Sequence, residues 1–278
     1  MASPPRLLGV VNVTEDSFSD GGRFLAPERA IEQAVKHFEA GAAAIDLGAA
    51  ASHPAALPVE PEEQIRRLRP VVTELKRRGI PLSIDSPEPA VQRFALAAGV
   101  EFLNDIEGFA RPEMYPDLGR SRARLIVMHS IQRRGPATRV KTEALRVLEG
   151  IFHFFSERLA ALERGGVDPD RLILDPGMGL FLGSTPEPSL LALAQLARLR
   201  AEFGRPVLIC VSRKSFLGAV TGRGVSERGP ATLAAEIYAA LEGVDYIRTH
   251  DVAALTDALA VIEAIQLGRI LPSGPRSA

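Results

Sequence analysis

One unit recurs eight times along this chain: a short apolar run, a polar tip, a loop and a helical segment. Residues 171–190 show it most clearly. Leu172, Ile173 and Leu174 form a continuous apolar run that ends on Asp175. Pro176 and Gly177 stop it at once, because proline cannot donate to a sheet ladder and glycine accepts turns that other residues resist. Ser184 and Thr185, ahead of Pro186 and Glu187, read as the start of a helix with proline in its first turn.

The same pattern predicts strands over residues 7–13, 43–47, 81–85, 102–106, 124–128, 206–211 and 245–249. Helical periodicity predicts helices over residues 27–40, 61–78, 113–119, 143–164 and 230–242, with another from Ser86 and Pro87 as N-cap and first residue to Gly99. A further helix runs from Pro186 to near Gly204, and a last one to about Ile265. The segment between Lys214 and Gly229 reads as a glycine-rich loop. Continuous apolar runs, rather than alternation, mark strands covered on both faces, as in a parallel sheet. Eight such units predict one α/β domain, a closed (β/α)8 TIM barrel over residues 7–265, with a loose tail over 266–278. An open doubly wound sheet is the competing fold.

Composition narrows the partners. The formal net charge is −1, which gives no electrostatic reason for a nucleic acid or an anionic membrane. No apolar run is long enough to span a bilayer, and the N-terminus lacks a signal-type apolar region. The single cysteine, Cys210, excludes an internal disulfide and reads as a core residue of its strand. A cytoplasmic location is the expectation.

Every predicted strand ends on a polar group. In order the tips carry Asn12, Asp46, Asp85, Asn104 with Asp105, His129, Asp175, Ser212 with Lys214, and Arg248 with His250. In a barrel the C-terminal ends of the strands share one face, so these groups converge. Asp, Asn and Ser after a strand often serve only as caps of the next helix, but that reading does not cover Lys214, Arg248, His129 and His250. The ring divides into two sets. Asp46, Asp85, Asp175 and Asn104 suit an N–H-rich planar heterocycle. Lys214, Arg248 and His250 suit an anion such as a phosphate, and Asn12 can ligate a hard cation that escorts phosphate oxygens. Lys214 as a Schiff-base lysine is the rival reading of that residue.

At this point a resemblance enters. Asn12-Val13-Thr14 with Asp16-Ser17-Phe18-Ser19-Asp20-Gly21-Gly22 resembles the first signature of the dihydropteroate synthases. Ser83-Ile84-Asp85, Asn104-Asp105, Met128-His129, Asp175-Pro176-Gly177, Ser212-Arg213-Lys214-Ser215-Phe216-Leu217-Gly218 and Arg248-Thr249-His250 resemble its later motifs, in the same order. The resemblance implies a pterin-binding TIM barrel, a homodimer, and a reaction that joins 6-hydroxymethyl-7,8-dihydropterin diphosphate to p-aminobenzoate with release of pyrophosphate and the help of Mg²⁺. It implies that Asp46, Asp85, Asn104, Met128, Asp175, Lys214 and Arg248 hold the pterin, with Asp85, Asp175, Lys214 and Arg248 catalytic. It places Asn12, Ser52, His53, Arg248 and His250 at the pyrophosphate, with Asn12 toward the metal. Phe18, Ser52, Lys214 and Ser215 would line the aminobenzoate pocket. A pterin-dependent methyltransferase on the same barrel and a catalytically silent pterin-binding homologue are the alternatives.

The chain departs from the family pattern twice. Where the family reads roughly Asp-Ile-Gly-Gly-Glu-Ser-Thr-Arg-Pro-Gly, this chain has Asp46-Leu47-Gly48-Ala49-Ala50-Ala51-Ser52-His53-Pro54-Ala55. The loop after Asp175 is also longer by two residues, within Leu180, Phe181, Leu182 and Gly183. Both departures are similar to the mobile sulfonamide-insensitive dihydropteroate synthases. The expectation is that the longer loop, through Phe181, excludes a bulky aminobenzoate mimic and spares the substrate.

Overall fold

The computed structural model describes residues 4–13 and 27–270. Eight strands run parallel: β1 (Arg6–Asn12), β2 (Ala44–Gly48), β3 (Leu82–Asp85), β4 (Phe102–Asp105), β5 (Arg124–Met128), β6 (Leu172–Asp175), β7 (Leu208–Ile209) and β8 (Tyr246–Thr249). They form one sheet in the order β6-β5-β4-β3-β2-β1-β8-β7. Its two ends meet through a parallel bridge between Leu174 and Val207, where the Leu174 N–H donates to the Pro206 carbonyl at 2.8 Å. The chain is therefore a (β/α)8 barrel with a narrow closing seam, as the alternation predicts. The seam is narrow because β7 is shorter than residues 206–211 suggested. Pro206 has no N–H to give, and only Leu208 and Ile209 pair in register with β8.

The outer layer holds α1 (Pro27–Glu39), α2 (Pro61–Arg77), α3 (Pro89–Ala97), α4 (Tyr115–Arg120), α5 (Ala144–Arg164), α6 (Glu187–Ala194), α7 (Leu196–Phe203), α8 (Ser215–Thr221), α9 (Gly229–Leu241) and α10 (Val252–Ile270). Four details differ from the sequence reading. Ser86 does not cap α3; its hydroxyl donates to Gln64 Oε1 at 2.9 Å and accepts the Glu88 N–H at 3.2 Å, so the helix starts later, at Pro89. The helix after Thr185 breaks at Gln195 into α6 and α7. The expected loop after Lys214 contains α8. The last helix runs through to Ile270, and residues 271–278 of the expected tail lie outside the described residues. No helix among the described residues is long and apolar enough to cross a membrane.

Strand parity positions the site. Side chains alternate faces along a strand, and each strand uses one parity for the barrel interior. Leu8, Ala44, Phe102, Ile126, Ile173, Leu208 and Tyr246 form one closed interior layer, with the Phe102 and Tyr246 rings edge to face at 6.0 Å. The opposite parity, including Leu47, Ile84, Leu103, Val127, Leu174 and Ile247, packs against the helices in the main core. Two residues above the interior layer, the same inward parity carries Val10, Asp46, Asn104, Met128, Asp175, Cys210 and Arg248, with Asp85 placed beside Asn104 by the β3–β4 register. The apolar floor thus gives way to a polar layer at the C-terminal mouth. Helix α1 approaches β1 closely at Gly9, where a Cβ would lie 2.8 Å from His37 Cβ.

Candidate active site

Arg248 is the centre of the polar layer. Its Nε donates to Asp46 Oδ2 at 2.5 Å and its Nη2 to Asp85 Oδ2 at 2.9 Å. Its third arm, Nη1, lies 3.5 Å from Cys210 Sγ. One guanidinium therefore ties β8 to β2, β3 and the segment after β7. Only a planar fork can serve partners on three strands at once. The Asp46 side chain is fully buried, and its other oxygen, Oδ1, has no partner among the described residues. The buried Ser83 hydroxyl and Asn104 Oδ1 are unpartnered in the same way. Buried polar atoms without partners are costly, so this set is built to be completed by a hydrogen-bonding ligand.

Asp85 and Asp175 sit well above the ordinary carboxylate range. Burial pushes Asp85 up to about 7, against the pull of the Arg248 charge. Burial likewise pushes Asp175 up to about 6, against the Gly177 N–H and the Lys214 and Arg248 charges. Asp175 Oδ1 accepts that Gly177 N–H at 2.8 Å, which folds the β6 tip into its loop. Lys214 reaches the same mouth from the N-terminus of α8, with its ammonium 4.9 Å from the Phe181 ring centroid. Ser215 follows it; a Cβ on Gly179 would meet both, at 3.3 Å from Lys214 Cδ and 3.4 Å from Ser215 Oγ.

The loop of Leu180, Phe181, Leu182 and Gly183 lies against this wall. Phe181 is buried with Met128 and Ala137, and Leu180 packs on them. Leu182 enters the main core. The loop is stitched to the β5–α5 segment: Ile131 N–H donates to the Phe181 carbonyl at 3.0 Å and Thr142 Oγ1 to the Leu182 carbonyl at 2.7 Å. Ser189 Oγ, fully buried in α6, accepts the Gly179 N–H at 2.9 Å and holds the near end. Ser52 joins the same region, its carbonyl accepting the Ala137 N–H at 3.0 Å.

Two tips, Asp105 and His129, and one loop residue, His53, do not join the ring as the sequence suggested. Asp105 has the opposite parity to Asn104 and points outward. Its carboxylate accepts the Glu107 N–H at 2.7 Å, the Phe109 N–H at 3.0 Å and Gln92 Nε2 at 3.0 Å. It shapes its own turn. His129 turns under the neighbouring loop, with Nδ1 3.2 Å from the Pro176 carbonyl and its ring edge to face with Phe154. Burial pushes it down to about 4, so it is a neutral support for the Asp175 loop. His53 is exposed, and its Nδ1 accepts the Ala55 N–H at 3.2 Å.

His250 stays at the mouth but leaves the cationic set. Burial, with the Arg248, Arg213 and Lys214 charges, pushes it down to about 3. Its Nδ1 lies 2.9 Å from Ser212 Oγ. Asn12 stands exposed at the rim: a Cβ on Gly48 would lie 3.8 Å from both Asn12 Oδ1 and Asp85 Cβ. Phe18 lies outside the described residues. Strand-tip reading gives Ser83 only as part of a family motif, reads Cys210 as core and does not reach Ser189; strand parity relative to Arg248 and Asp85 is the signal that finds Cys210 and Ser83.

The ring can therefore hold a heterocycle with several N–H donors on one side and an anion on the other. Known proteins fit that description. The family described as pterin binding enzyme matches residues 8–250. The type-3 dihydropteroate synthase of Escherichia coli is 50% identical, over 94% of this chain and 99% of its own length. The type-2 enzyme of the same organism is 52% identical, over 94% and 96%. Among solved structures, the Xanthomonas albilineans dihydropteroate synthase with 4-aminobenzoic acid superposes with a TM-score of 0.86 at 37% identity, covering 95% of this chain and 93% of that one. The same enzyme in complex with 7,8-dihydropteroate gives 0.82 at 37% identity, over 95% and 94%. A barrel whose polar mouth, strand tips and near-complete alignment agree in this way belongs to the dihydropteroate synthase family.

Proposed function

We propose that this protein condenses 6-hydroxymethyl-7,8-dihydropterin diphosphate with p-aminobenzoate, and that it does so in the presence of sulfonamides. The observation that supports the reaction is the polar barrel mouth: Arg248 bridges Asp46 and Asp85, and Asn104, Asp175, Lys214 and a neutral His250 stand around them. Asp175 and Asn104 accept the pterin N–H groups, and Met128 gives the ring an apolar wall. The bond from the pterin methylene to the diphosphate oxygen breaks, and its electron pair leaves with the pyrophosphate. Arg248 and His250 stabilise that departing charge. Asp85 and Asp175 stabilise the cation left on the pterin. The arylamine lone pair then attacks the methylene and the amine loses its proton.

Asn12 offers one oxygen donor to a Mg²⁺ ion at the mouth. Among the described residues no three His, Cys, Asp or Glu side chains could hold a metal ion. A single exposed amide oxygen beside a diphosphate does fit Mg²⁺, which keeps most of its waters and binds through substrate phosphates. When bound there it would supply charge neutralisation to the leaving group.

The loop of Leu180, Phe181, Leu182 and Gly183 supports the drug-insensitive reading. It forms the wall beside Lys214 and Ser215, so the room for a substituent beyond an aminobenzoate-sized ring is set by Phe181. A homodimer is supported by the apolar outer faces of α9 and α10, which pack together and leave Tyr238, Leu241, Val261 and Ile265 exposed. The free, buried Cys210 thiol fits a reducing cytoplasm. A catalytically silent homologue is the second reading, favoured by exposed His53 and by Ala50. The test is one assay: purified protein with the pterin diphosphate, p-aminobenzoate and Mg²⁺, with and without a sulfonamide. Dihydropteroate formed in both arms is the expected result. No product favours the silent homologue, and product lost at low drug removes the resistance reading.

A further inference from the structure

Arg213, directly before Lys214, has a left-handed backbone with φ of 58°. A residue with a Cβ resists that conformation, so it persists only where the surroundings hold it. Both backbone groups of Arg213 are held from one place. Its N–H donates to Thr232 Oγ1 at 3.0 Å, and its carbonyl accepts Arg228 Nη1 at 3.0 Å. Arg228 stands directly before α9 and Thr232 lies in the first turn of that helix, its N–H donating to the Arg228 carbonyl at 2.8 Å.

Arg228 reaches Arg213 by passing α8 at Gly218, where a Cβ would run into its guanidinium. That accounts for a glycine at the end of the Ser212-to-Gly218 motif, inside a helix where glycine is otherwise unfavourable. The Arg228 Nε donates to the Arg223 carbonyl at 3.3 Å, so one guanidinium ties the segment after α8 to the turn before it. That turn decides where Lys214 goes. The Lys214 N–H donates to the Val211 carbonyl at 3.1 Å, and its own carbonyl accepts the Leu217 N–H at 3.2 Å. Returning Arg213 to a negative φ would re-aim the chain that follows it and take the Lys214 ammonium away from the mouth.

We infer that Arg228, supported by Thr232, is a positioning residue for the condensation: by holding Arg213 in its left-handed turn it aims Lys214 into the barrel mouth. The inference rests on the reaction proposed above for the substrate that Lys214 meets there.

Arg228→Met, measured in three backgrounds, separates this role from a merely structural one. In the wild-type background it is expected to lower kcat/KM for the pterin diphosphate by about tenfold. Glycine takes the left-handed backbone without strain, so in an Arg213→Gly background the same substitution should cost less than about threefold. In a Lys214→Ala background it should add less than about twofold, because its effect passes through Lys214. An undiminished loss in either background would overturn the inference, and so would wild-type kinetics in Arg228→Met itself. If Arg228→Met does not fold, Thr232→Val, which removes only the hydroxyl that accepts the Arg213 N–H, runs the same comparison under the same criteria. Should the wild type make no product, amide hydrogen exchange replaces the kinetics. Protection of the Lys214 N–H about tenfold lower in Arg228→Met than in the wild type supports the inference, and equal protection overturns it.

Discussion

Arg248 Nη2 lies 2.9 Å from Asp85 Oδ2, so in the free protein the cation and the acid that a pterin diphosphate would use are each other's partners. Asp85 sits at about 7 because burial outweighs that charge. The positive charge that develops on the pterin as the diphosphate leaves favours the ionised form of Asp85. The transition state then holds fewer protons than the free protein. Transition-state stabilisation must rise with pH over the range where free Asp85 loses its proton. kcat/KM for the pterin diphosphate is therefore expected to rise between pH 6 and pH 8, and Asp85→Asn to flatten that slope. A kcat/KM independent of pH in the wild type would count against an ionised Asp85.

Removing the guanidinium leaves two carboxylates facing each other. Asp46 is fully buried and has no other charged partner among the described residues. Arg248→Met is expected to cost about 3–5 kcal/mol in urea unfolding at pH 8, the penalty for breaking a buried pair from one side. Arg248→Lys should regain part of the stability but little activity, since an ammonium cannot span Asp46 and Asp85 as the fork does.

Gly183 has φ of 148°, and a Cβ there would overlap Thr142 Oγ1, far inside van der Waals contact. Gly183→Ala is therefore expected to break the Thr142–Leu182 contact and free the loop. The sulfonamide inhibition constant should fall by about tenfold or more, with a smaller change in KM for p-aminobenzoate. Deleting the two extra residues of this loop should act in the same direction. An active deletant that keeps its resistance would show that the loop is only surface.

His53 offers a contrasting case. It occupies the position of the family arginine, but it is exposed and bonded to its own turn. His53→Ala should change KM for the pterin diphosphate by less than about twofold. A tenfold rise would show that the turn closes onto the diphosphate during turnover.

Glu236 gives a stability test independent of catalysis. Its carboxyl is raised in the folded state, so the folded chain binds the extra proton between the unfolded value and about 7. Its contribution is present in full below the unfolded pKa and is lost as pH rises through about 7. Glu236→Gln should be more stable relative to the wild type at pH 8 than at pH 5, read from melting temperatures at the two values.

The amino-acid sequence by itself determined the repeating unit, and through it the barrel. Eight continuous apolar runs with polar tips have few other ways to bury both faces of their strands. It also determined which residue types stand at the mouth, since the tips are local punctuation. What it left open turned on parity, burial and long-range partners. Asn104 and Asp105 are adjacent in the chain, and only the strand register sends one inward and the other into its own turn. His129 and His250 both read as titratable tips, and only burial among particular neighbours makes each neutral. Cys210 reads as core, and only the closed barrel brings it to the Arg248 fork. Phe181 reads as part of a loop, but contacts with Met128, Ala137 and Lys214 bury it beside the barrel mouth. Periodicity is written in neighbouring residues and can be read from them. Which side chains meet across the barrel depends on closure, and closure exists only when all eight strands are in register.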